Sequence, residues 1–464
     1  MGLTEQIGNV WRIRDLRRKI IITLGLLALC RVGAYVPLPG VNVAALGEHF
    51  KSLGGAAGSM LAMINLFAGG ALSQAAIFGL GIMPYISASI IFQLLANVIP
   101  SLEALRKEGA SGQKKLNQYT RIATVFICLG QGMFMAGTLG RIPGILSPEV
   151  TASRLATIRF IVVSGFLLMA GAMFLMWLGE QIDEHGIGNG ISLVITIGIL
   201  ARMPVAISDL SMNLASAESQ QNAILKVFLL AVLFFGVVVG IIYITRGERR
   251  IPVQQQKHVR GPKVYGGQKH YLPLRVNQAG VMPIIFAQSL LMFPAIIAAA
   301  VVTGPAGSES SIWTKFFSAI GGAVSGLNMT FTYVALYGAL IFFFCYFWTA
   351  LMFNPKEMSE NLQNYGSFIP GIRPGKRTAN YLEGIMNRVT IAGSFFLVII
   401  ALLPMVISDA LNVGRVARFY GGTTILIVVG VLLDVWRRIN DHLEMRRYSG
   451  FAAGVAGHRR SRRR

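Results

Sequence analysis

Long runs of apolar residues alternate along the chain with shorter polar segments. Five of these runs contain no Asp, Glu, Lys or Arg, and they cover residues 122–140, 160–179, 227–245, 278–302 and 329–353. Each is close to or above the ~20 residues that an α-helix needs to cross a hydrocarbon core of about 30 Å. A soluble protein can bury one helix of this kind in its core, but not a whole series. The pattern therefore predicts an all-α membrane protein.

Weaker apolar runs extend this prediction to ten membrane-spanning helices, at residues 20–39, 76–99, 122–140, 160–180, 185–204, 224–245, 278–302, 331–353, 386–408 and 419–436. Most of the 42 Lys and Arg residues fall in alternate loops and in the two termini. Because basic loops stay in the cytosol, this bias predicts that both termini are cytosolic. No small-residue cleavage site follows a short apolar run near the N-terminus, so we expect the first span to be retained.

The composition agrees with a membrane protein. Of the 464 residues, 54% are hydrophobic and 13% are charged, whereas about a quarter of a soluble domain is charged. The net charge of +22 is distributed over alternate loops, so it does not by itself indicate nucleic-acid binding. The three cysteines lie in separate apolar segments without CxxC spacing, which favours a packing role over a metal or redox role.

Two predicted cytosolic loops, residues 246–277 and 354–385, are unusually long and basic. Connections of this length favour docking surfaces, although a solvated loop attracted to anionic lipid is an alternative. The C-terminal sequence HRRSRRR is predicted to be a disordered end attracted to lipid or RNA.

Between the first two predicted spans lies MLAMINLFAGGALSQ, residues 60–74, which is apolar but too short to cross a membrane. Gly69 and Gly70 interrupt it, and the segment therefore resembles a re-entrant half-helix. Such backbone is tolerated at membrane depth only where protein or a water-filled cavity surrounds it, so the segment indicates a cavity. An interfacial helix is the alternative.

Ionisable residues are nearly absent from the predicted spans. Arg31 lies near the external end of the first span, and Glu180 and Asp434 lie at cytosolic ends. Ion-coupled transporters usually place such a residue near the bilayer midplane. No HExxH motif occurs, and the six histidines lie in loops or in the tail, so we expect no enzymatic activity, catalytic residue, metal or cofactor. A gated pore with an apolar constriction is favoured, with a small-solute transporter as the alternative.

Seven distinctive segments extend in order over essentially the whole chain: AIFGLGIMPYISASIIFQLL (76–95), KEGASGQKKLNQYTR (107–121), GIGNGIS (186–192), RRIPV (249–253), YLPLRVNQAGVMPIIFAQS (271–289), FIPGIRPGKRT (368–378) and GGTTILIVVGVLLD (421–434). In this collinear order they resemble the SecY/Sec61-alpha family of protein-translocation channels, in its bacterial form.

The resemblance implies a clamshell of two five-helix halves around a central pore. The N-terminal half would cover residues 1–205, including a re-entrant plug at about 60–75, and the C-terminal half residues 224–436. An external hinge loop at 206–223 would join them, and a basic cytosolic tail would follow at 437–464. The implied function is translocation of unfolded preproteins across the bacterial inner membrane, with lateral release of transmembrane segments into the bilayer.

The resemblance also assigns residues to the pore. The implied pore ring consists of six isoleucines: Ile82, Ile86, Ile187, Ile191, Ile285 and Ile427. On sequence alone each would be expected to face lipid or the core. Ile82 and Ile86 are four residues apart and therefore share a helix face, with Pro84 expected to bend the helix between them. The plug aligns with residues that include Asn65, Phe67, Gly69 and Gly70.

Two further sets of residues follow from the resemblance. Uncharged polar groups are expected to hydrogen-bond across a lateral gate, and they are Ser87, Gln93, Asn277 and Gln288. Partner binding is assigned to Arg373, Lys257, Arg260 and Lys263, of which the last three suit rRNA phosphate by charge. Pro262 replaces a basic residue of the family pattern at this point. The implied partners are the small subunits SecE and SecG, the motor SecA, the ribosome, signal peptides, unfolded preproteins and membrane lipid.

Overall fold

The computed structural model describes residues 13–52, 65, 67–140, 142, 144–215, 220–256, 258–260, 263–265, 269–291, 331–410 and 422–461. They are mostly helical, as the apolar runs predict. The helices are α1 Arg14–Gly33, α2 Val43–Ser52, α3 Met83–Val98, α4 Pro100–Lys107, α5 Ala110–Leu139, α6 Pro148–Thr151, α7 Arg154–His185, α8 Gly190–Ala215, α9 Gln220–Arg246, α10 Met282–Leu291, α11 Phe331–Met352, α12 Pro355–Asn364, α13 Lys376–Ala410 and α14 Gly422–Ser461. The strands are β1 Glu248–Gln255, β2 His258–Arg260, β3 Lys263–Tyr265, β4 Lys269–Arg275 and β5 Ser367–Phe368.

Several described helices have the length and composition of membrane spans. Five qualify singly: Ala110–Leu139, Arg154–His185, Ile224–Arg246, Thr332–Asn364 and Lys376–Pro404. A sixth is a bent pair, α3 and α4, with a 97° angle between Met83–Ala96 and Pro100–Lys107. Shorter apolar helices cover Gly190–Val205 and Met282–Leu291. Every predicted span overlaps a described helix, and the count of ten crossings remains a prediction.

The second predicted span begins later than its apolar run. Residues 68–82 form turns, and we call them the turn segment. Helix α3 begins only at Met83. Gly69, Gly70 and Gly81 have positive φ angles, which interrupt a right-handed helix. The predicted bend at Pro84 is therefore wrong, because Pro84 lies in the first turn of α3. Proline is favoured there, since its missing N–H would have no helical acceptor.

The first span is also displaced relative to its predicted limits of 20–39. Helix α1 ends at Gly33, and the residues after it form backbone bonds with the turn segment instead. The amide of Leu38 donates to the Ala75 carbonyl at 2.8 Å, and the amide of Ile77 donates to the Val36 carbonyl at 2.9 Å. These two bonds connect residues 36–38, which follow α1, to residues 75–77 of the turn segment.

Two segments expected to be irregular are helical instead. Helix α8 continues to Ala215, through the first part of the predicted hinge loop at 206–223. Helix α14 continues to Ser461, where a disordered end was expected. Both extensions contain residues with good helix propensity, such as Leu, Met and Ala, and no proline occurs after Pro204 within α8 or anywhere within α14.

The chain divides into two compact units, and the division differs in part from the predicted halves. One unit contains Met1–Ser208 with Val431–Arg464, and the other contains Asp209–Gly430. The first boundary lies within the predicted hinge at 206–223. The second places the last part of α14 with the N-terminal unit, whereas the predicted C-terminal half extends to residue 436.

Close contacts between small residues hold the helices of the first unit together. A Cβ built on Gly132 of α5 would lie 2.9 Å from the Gly165 carbonyl oxygen of α7. Small residues allow helix backbones to approach closely where no hydrophobic effect drives helices together in lipid. A buried cluster beside these helices contains Leu46, Ala75, Leu139 and Ile145, and it fixes the turn segment against α2 and α5.

In the second unit, the two long basic loops at 246–277 and 354–385 combine into one folded body, which we call the composite body. Strand β1 is the centre of an antiparallel sheet, with β4 on one side and β5 on the other. Since β1 and β4 come from the loop at 246–277 and β5 from the loop at 354–385, the sheet joins both. Their shared core consists of Ile251, Val253, Leu274, Phe353, Ile369, Leu382, Ile385 and Met386.

Replacement of Gly171 should test the close packing of α7. A Cβ at this position would overlap the Ile77 carbonyl oxygen, which belongs to the turn segment. We expect Gly171→Ala to lower the free energy of unfolding by about 1–3 kcal/mol, the usual penalty of overpacking. The control is Gly130→Ala, because a Cβ on Gly130 of α5 meets no atom within 4 Å. Thermal unfolding in mild detergent measures both, and equal melting temperatures would contradict the prediction.

Candidate functional site

The predicted plug is represented by residue 65 and residues 67–75, while residues 60–64 and 66 lie outside the described residues. Asn65 and Phe67 are buried, with 7% and 5% of their surface exposed. The side chain of Asn65 accepts a hydrogen bond from the Ser73 amide at 3.0 Å, and its carbonyl accepts one from Gly70 at 2.8 Å. The segment is thus folded back on itself.

This segment and one residue of the predicted pore ring line a common cavity. Phe67, Gly69 and Ile82 all contribute to its wall, together with residues of α1, α7 and α8. A cavity beside the segment at 60–74 is what the sequence predicted for a re-entrant element. The described part contains turns at this point, so the alternative of an interfacial helix does not describe residues 68–75.

Four of the six predicted pore-ring residues belong to the first unit. Ile82 and Ile86 are 3% and 5% exposed, and they lie one helical turn apart, since the amide of Ile86 donates to the Ile82 carbonyl. Ile187 is 5% exposed, whereas Ile191 is only half-buried. Packing in a core and packing in an apolar seal both require such burial, so burial does not distinguish them.

Ile187 lies in a short loop, residues 186–189, and Ile191 lies in the first turn of α8. Three side chains from outside the segment 186–192 hold its backbone by hydrogen bonds. The Thr23 hydroxyl oxygen of α1 accepts from the Ile187 amide at 3.1 Å. The Asp183 carboxylate of α7 accepts from the Gly190 amide at 2.7 Å. Arg438 of α14 donates to the Gly188 carbonyl at 3.3 Å.

These holding residues were missed by the sequence analysis, which considered only the loop. Asp183 has a local signal, because a carboxylate shortly before a glycine-rich turn often accepts backbone N–H groups at a helix start. Within the loop, Asn189 plays a similar part by accepting from the Ser192 amide at 2.9 Å. Thr23 and Arg438 have no such signal, since 164 and 250 residues separate them from their partners.

The other two predicted ring residues, Ile285 and Ile427, belong to the second unit. They are 3% and 0% exposed. Ile285 lies in α10 beside Phe286, whose ring contacts Phe344 of α11 at a centroid distance of 5.9 Å. Aromatic packing between α10 and α11 therefore fixes the position of the Ile285 backbone.

Three of the four predicted lateral-gate residues form hydrogen bonds with residues that are nearby in the sequence. Ser87 donates to the Met83 carbonyl one turn earlier in α3, at 2.9 Å. Gln93 donates to the Ser89 hydroxyl at 2.9 Å, and Asn277 donates to the Gly280 carbonyl at 2.9 Å. The Oε1 atom of Gln288 is buried and has no hydrogen-bond partner among the described residues.

The acidic residues noted at the ends of spans are paired with arginines. Glu180 of α7 forms two hydrogen bonds with Arg121 of α5, at 2.9 and 2.8 Å. Asp434 accepts from Arg438 one turn later in α14, at 3.1 Å. These pairs are partly exposed, with Glu180 at 25% and Asp434 at 45% side-chain exposure. Glu180 lies in the last turns of α7, whereas Asp434 lies within α14.

Of the predicted partner-binding residues, Arg373, Arg260 and Lys263 belong to the described part of the second unit. Arg373 is exposed on the turn between β5 and α13, where its carbonyl accepts from the buried Thr378 hydroxyl at 3.0 Å. Arg260 and Lys263 face each other in the register of β2 and β3. Lys257 lies outside the described residues. Among the described residues, no group of three metal-ligating side chains occurs, and Cys30, Cys128 and Cys345 are buried free thiols.

Comparisons with known proteins agree with this architecture. The SecY family model matches residues 76–436. The chain is 41% identical to a protein translocase subunit SecY of Thermotoga maritima over 449 residues, which is 96% of this chain and 97% of that protein. It is also 41% identical to a protein translocase subunit SecY of Escherichia coli K12, over 94% of this chain and 93% of the other.

Solved structures share the fold. One described as a protein-conducting channel has a TM-score of 0.57 at 16% identity, and covers 92% of both chains. A second, of a SecY protein and its plug domain, has a TM-score of 0.56 at 18% identity over the same shares. Extensive sequence identity, the matched family model and the shared helical fold lead to one conclusion: the chain belongs to the SecY family.

Proposed function

We propose that this chain is the protein-conducting subunit of a bacterial translocase. It moves unfolded preproteins across the inner membrane and releases apolar segments sideways into lipid. The observation that carries this proposal is the 41% identity to protein translocase subunits over nearly the whole of both chains. The proposed architecture has ten spans in two halves, with both termini in the cytosol.

The seal in this proposal is made by apolar side chains. The six isoleucines of the predicted ring would pack around a translocating chain, which excludes ions without recognising any one sequence. A narrow apolar constriction resists ions because water and ions leave it readily. Hydrogen bonds to Thr23 and Asp183 and one from Arg438 support this role, since they hold the backbone of the segment 186–192 that contains Ile187 and Ile191.

The turn segment acts as the plug of the resting channel. This role is supported by the cavity wall that the segment shares with Ile82. A related plug domain is described as stabilising the closed state of the SecY channel and maintaining a membrane seal. Displacement of the segment would open the path.

The lateral gate, by contrast, requires a modified explanation. Ser87 and Asn277 satisfy their hydrogen bonds locally, so they need no partner across a seam. Apolar packing would then provide most of the closure, and a signal peptide can replace apolar packing with its own. Gln288 remains the proposed polar contributor, since its buried Oε1 has no described partner.

The composite body of the second unit is the proposed docking surface for the cytosolic partners. A ribosome would supply the chain during synthesis, and the motor SecA would drive it afterwards, while SecE and SecG would accompany the channel in the membrane. A related canine Sec61 is described in a ribosome-channel complex. This subunit itself would perform no bond chemistry, so the energy comes from its partners or from an ion gradient. No observation favours a small-solute transporter.

Loss of the isoleucine seal should make the channel leak. We expect Ile86→Ser together with Ile427→Ser to raise the resting ion conductance severalfold, because hydroxyl groups let water and ions occupy the constriction. The measurement is conductance in planar bilayers with the purified complex. The matched control is Ile86→Val with Ile427→Val, which keeps the site apolar. An unchanged conductance in the serine variant would count against the ring.

Inversion of the charge at Arg373 should uncouple the motor. The residue is exposed on a turn whose backbone is fixed by Thr378, so we expect Arg373→Glu to remove a partner contact without unfolding the turn. Motor-driven export into vesicles should fall by about tenfold or more, as charge reversal at a docking contact replaces attraction with repulsion.

The control for this prediction is Lys356→Glu, which inverts an exposed charge on α12 of the same body. Its export should remain near that of the unmodified chain, and both variants should retain the original melting temperature. Normal export by Arg373→Glu would refute the assignment.

A further inference from the structure

Two arginines from different helices reach the turn segment of the first unit. Arg31, near the end of α1, donates to the Gly69 carbonyl at 2.9 Å. Arg202 of α8 donates to the Ser73 hydroxyl at 2.9 Å. The sequence analysis noted Arg31 as a rare charge in an apolar span and assigned it no role, and it did not consider Arg202.

The contacts at Gly69 and Ser73 continue into the hydrogen bonds that shape the segment. The Ser73 hydroxyl, which accepts from Arg202, donates in turn to the Gly70 carbonyl at 2.9 Å. The Ser73 amide donates to Asn65. A shift of Arg202 would therefore disturb the fold of the segment as well as its attachment.

The glycines of the segment allow this close approach. A Cβ on Gly69 would lie 2.8 Å from the Gly198 Cα of α8, and one on Gly70 would lie 2.6 Å from the Arg202 Nε. Both glycines also have positive φ angles, +63° and +91°. Larger residues would thus push the segment away from α8 and from the guanidinium.

The chemistry of these contacts suits reversible attachment. A guanidinium in an apolar helix is unfavourable unless polar groups surround it, and the segment supplies a carbonyl and a hydroxyl. Bonds from a charged donor are stronger than neutral ones. The acceptors carry no charge, however, so water entering the cavity can replace them. No salt bridge of Arg31 occurs among the described residues, where its guanidinium lies 5.6 Å from the Tyr35 ring centroid.

We propose that Arg31 and Arg202 are positioning residues. Together they hold residues 67–75, which comprise Phe67 and the first part of the turn segment, in their resting position. This proposal rests on the proposed function, in which the segment is the plug. Opening requires that both contacts break, and closing restores them without any change of protonation. The two arginines thereby set the fraction of resting channels that are open.

The test uses the full chain in the complex purified from its membrane, with the variants Arg31→Gln, Arg202→Gln and both together. Hydrogen exchange of the peptide covering residues 67–75 reports release of the segment, whatever the function of the chain. We expect about a tenfold faster exchange in each single variant and a larger increase in the double variant. Arg202→Lys, which keeps the charge and one donor, should give an intermediate rate.

Two controls separate this role from a general loss of stability. Arg159→Gln removes an exposed arginine from α7 of the same unit and should leave exchange unchanged. In a Ser73→Ala background, Arg202→Gln should add little, because its acceptor is already absent. Melting temperatures should stay close to that of the unmodified complex. Unchanged exchange in both arginine variants, or equal exchange with Arg159→Gln, would overturn the proposal.

A second measurement distinguishes the failure of this proposal from failure of the proposed function. Resting conductance in bilayers should rise about tenfold in each arginine variant, while the rate of export of a preprotein with an intact signal sequence should not fall. Faster exchange without a rise in conductance would mean that the arginines hold a segment that does not seal. If the unmodified complex exports no preprotein, the channel function itself is refuted.

Discussion

A hydrocarbon interior supplies no water to backbone N–H and C=O groups, so every non-helical residue at that depth must find partners within the protein. Among the described residues, 68–82, which are proposed to lie at this depth, are a clear case. Their turns are stabilised by bonds to Val36 and Leu38 after α1, and by the Arg31 guanidinium. Because these partners come from neighbouring elements, the turn segment and the first unit depend on one another.

In the segment at 186–192, side chains from outside satisfy backbone groups. The Thr23 hydroxyl and the Asp183 carboxylate accept from two of its amides, and Arg438 donates to one of its carbonyls. The side chains of Ile187 and Ile191 contribute no polar contact of their own. Apolar side chains that are proposed to seal a passage are thus positioned by polar groups acting on the backbone beneath them.

Charge follows a consistent distribution through the first unit and α14. Glu180 and Asp434 are each paired with an arginine, and partial exposure limits each pair to about 0–1 kcal/mol. Arg31 and Arg202 instead contact neutral oxygens of the turn segment. The acidic groups therefore form pairs on and between helices, whereas these two arginines act on a segment proposed to move.

The sequence by itself determined the membrane class, the apolar helices and the family, because hydropathy and long collinear motifs are properties of local sequence. It also located the interruption at Gly69 and Gly70, since glycine there permits positive φ. Tertiary structure decided that α3 begins at Met83. The apolar composition of the predicted span from residue 76 also allowed a helix there, but the residues before Met83 form turns. Tertiary structure likewise decided the joining of two distant loops into one sheet around Ile251, and the contacts of Thr23, Arg202 and Arg438. Such contacts join residues more than a hundred positions apart, and one sequence contains no local pattern that specifies them.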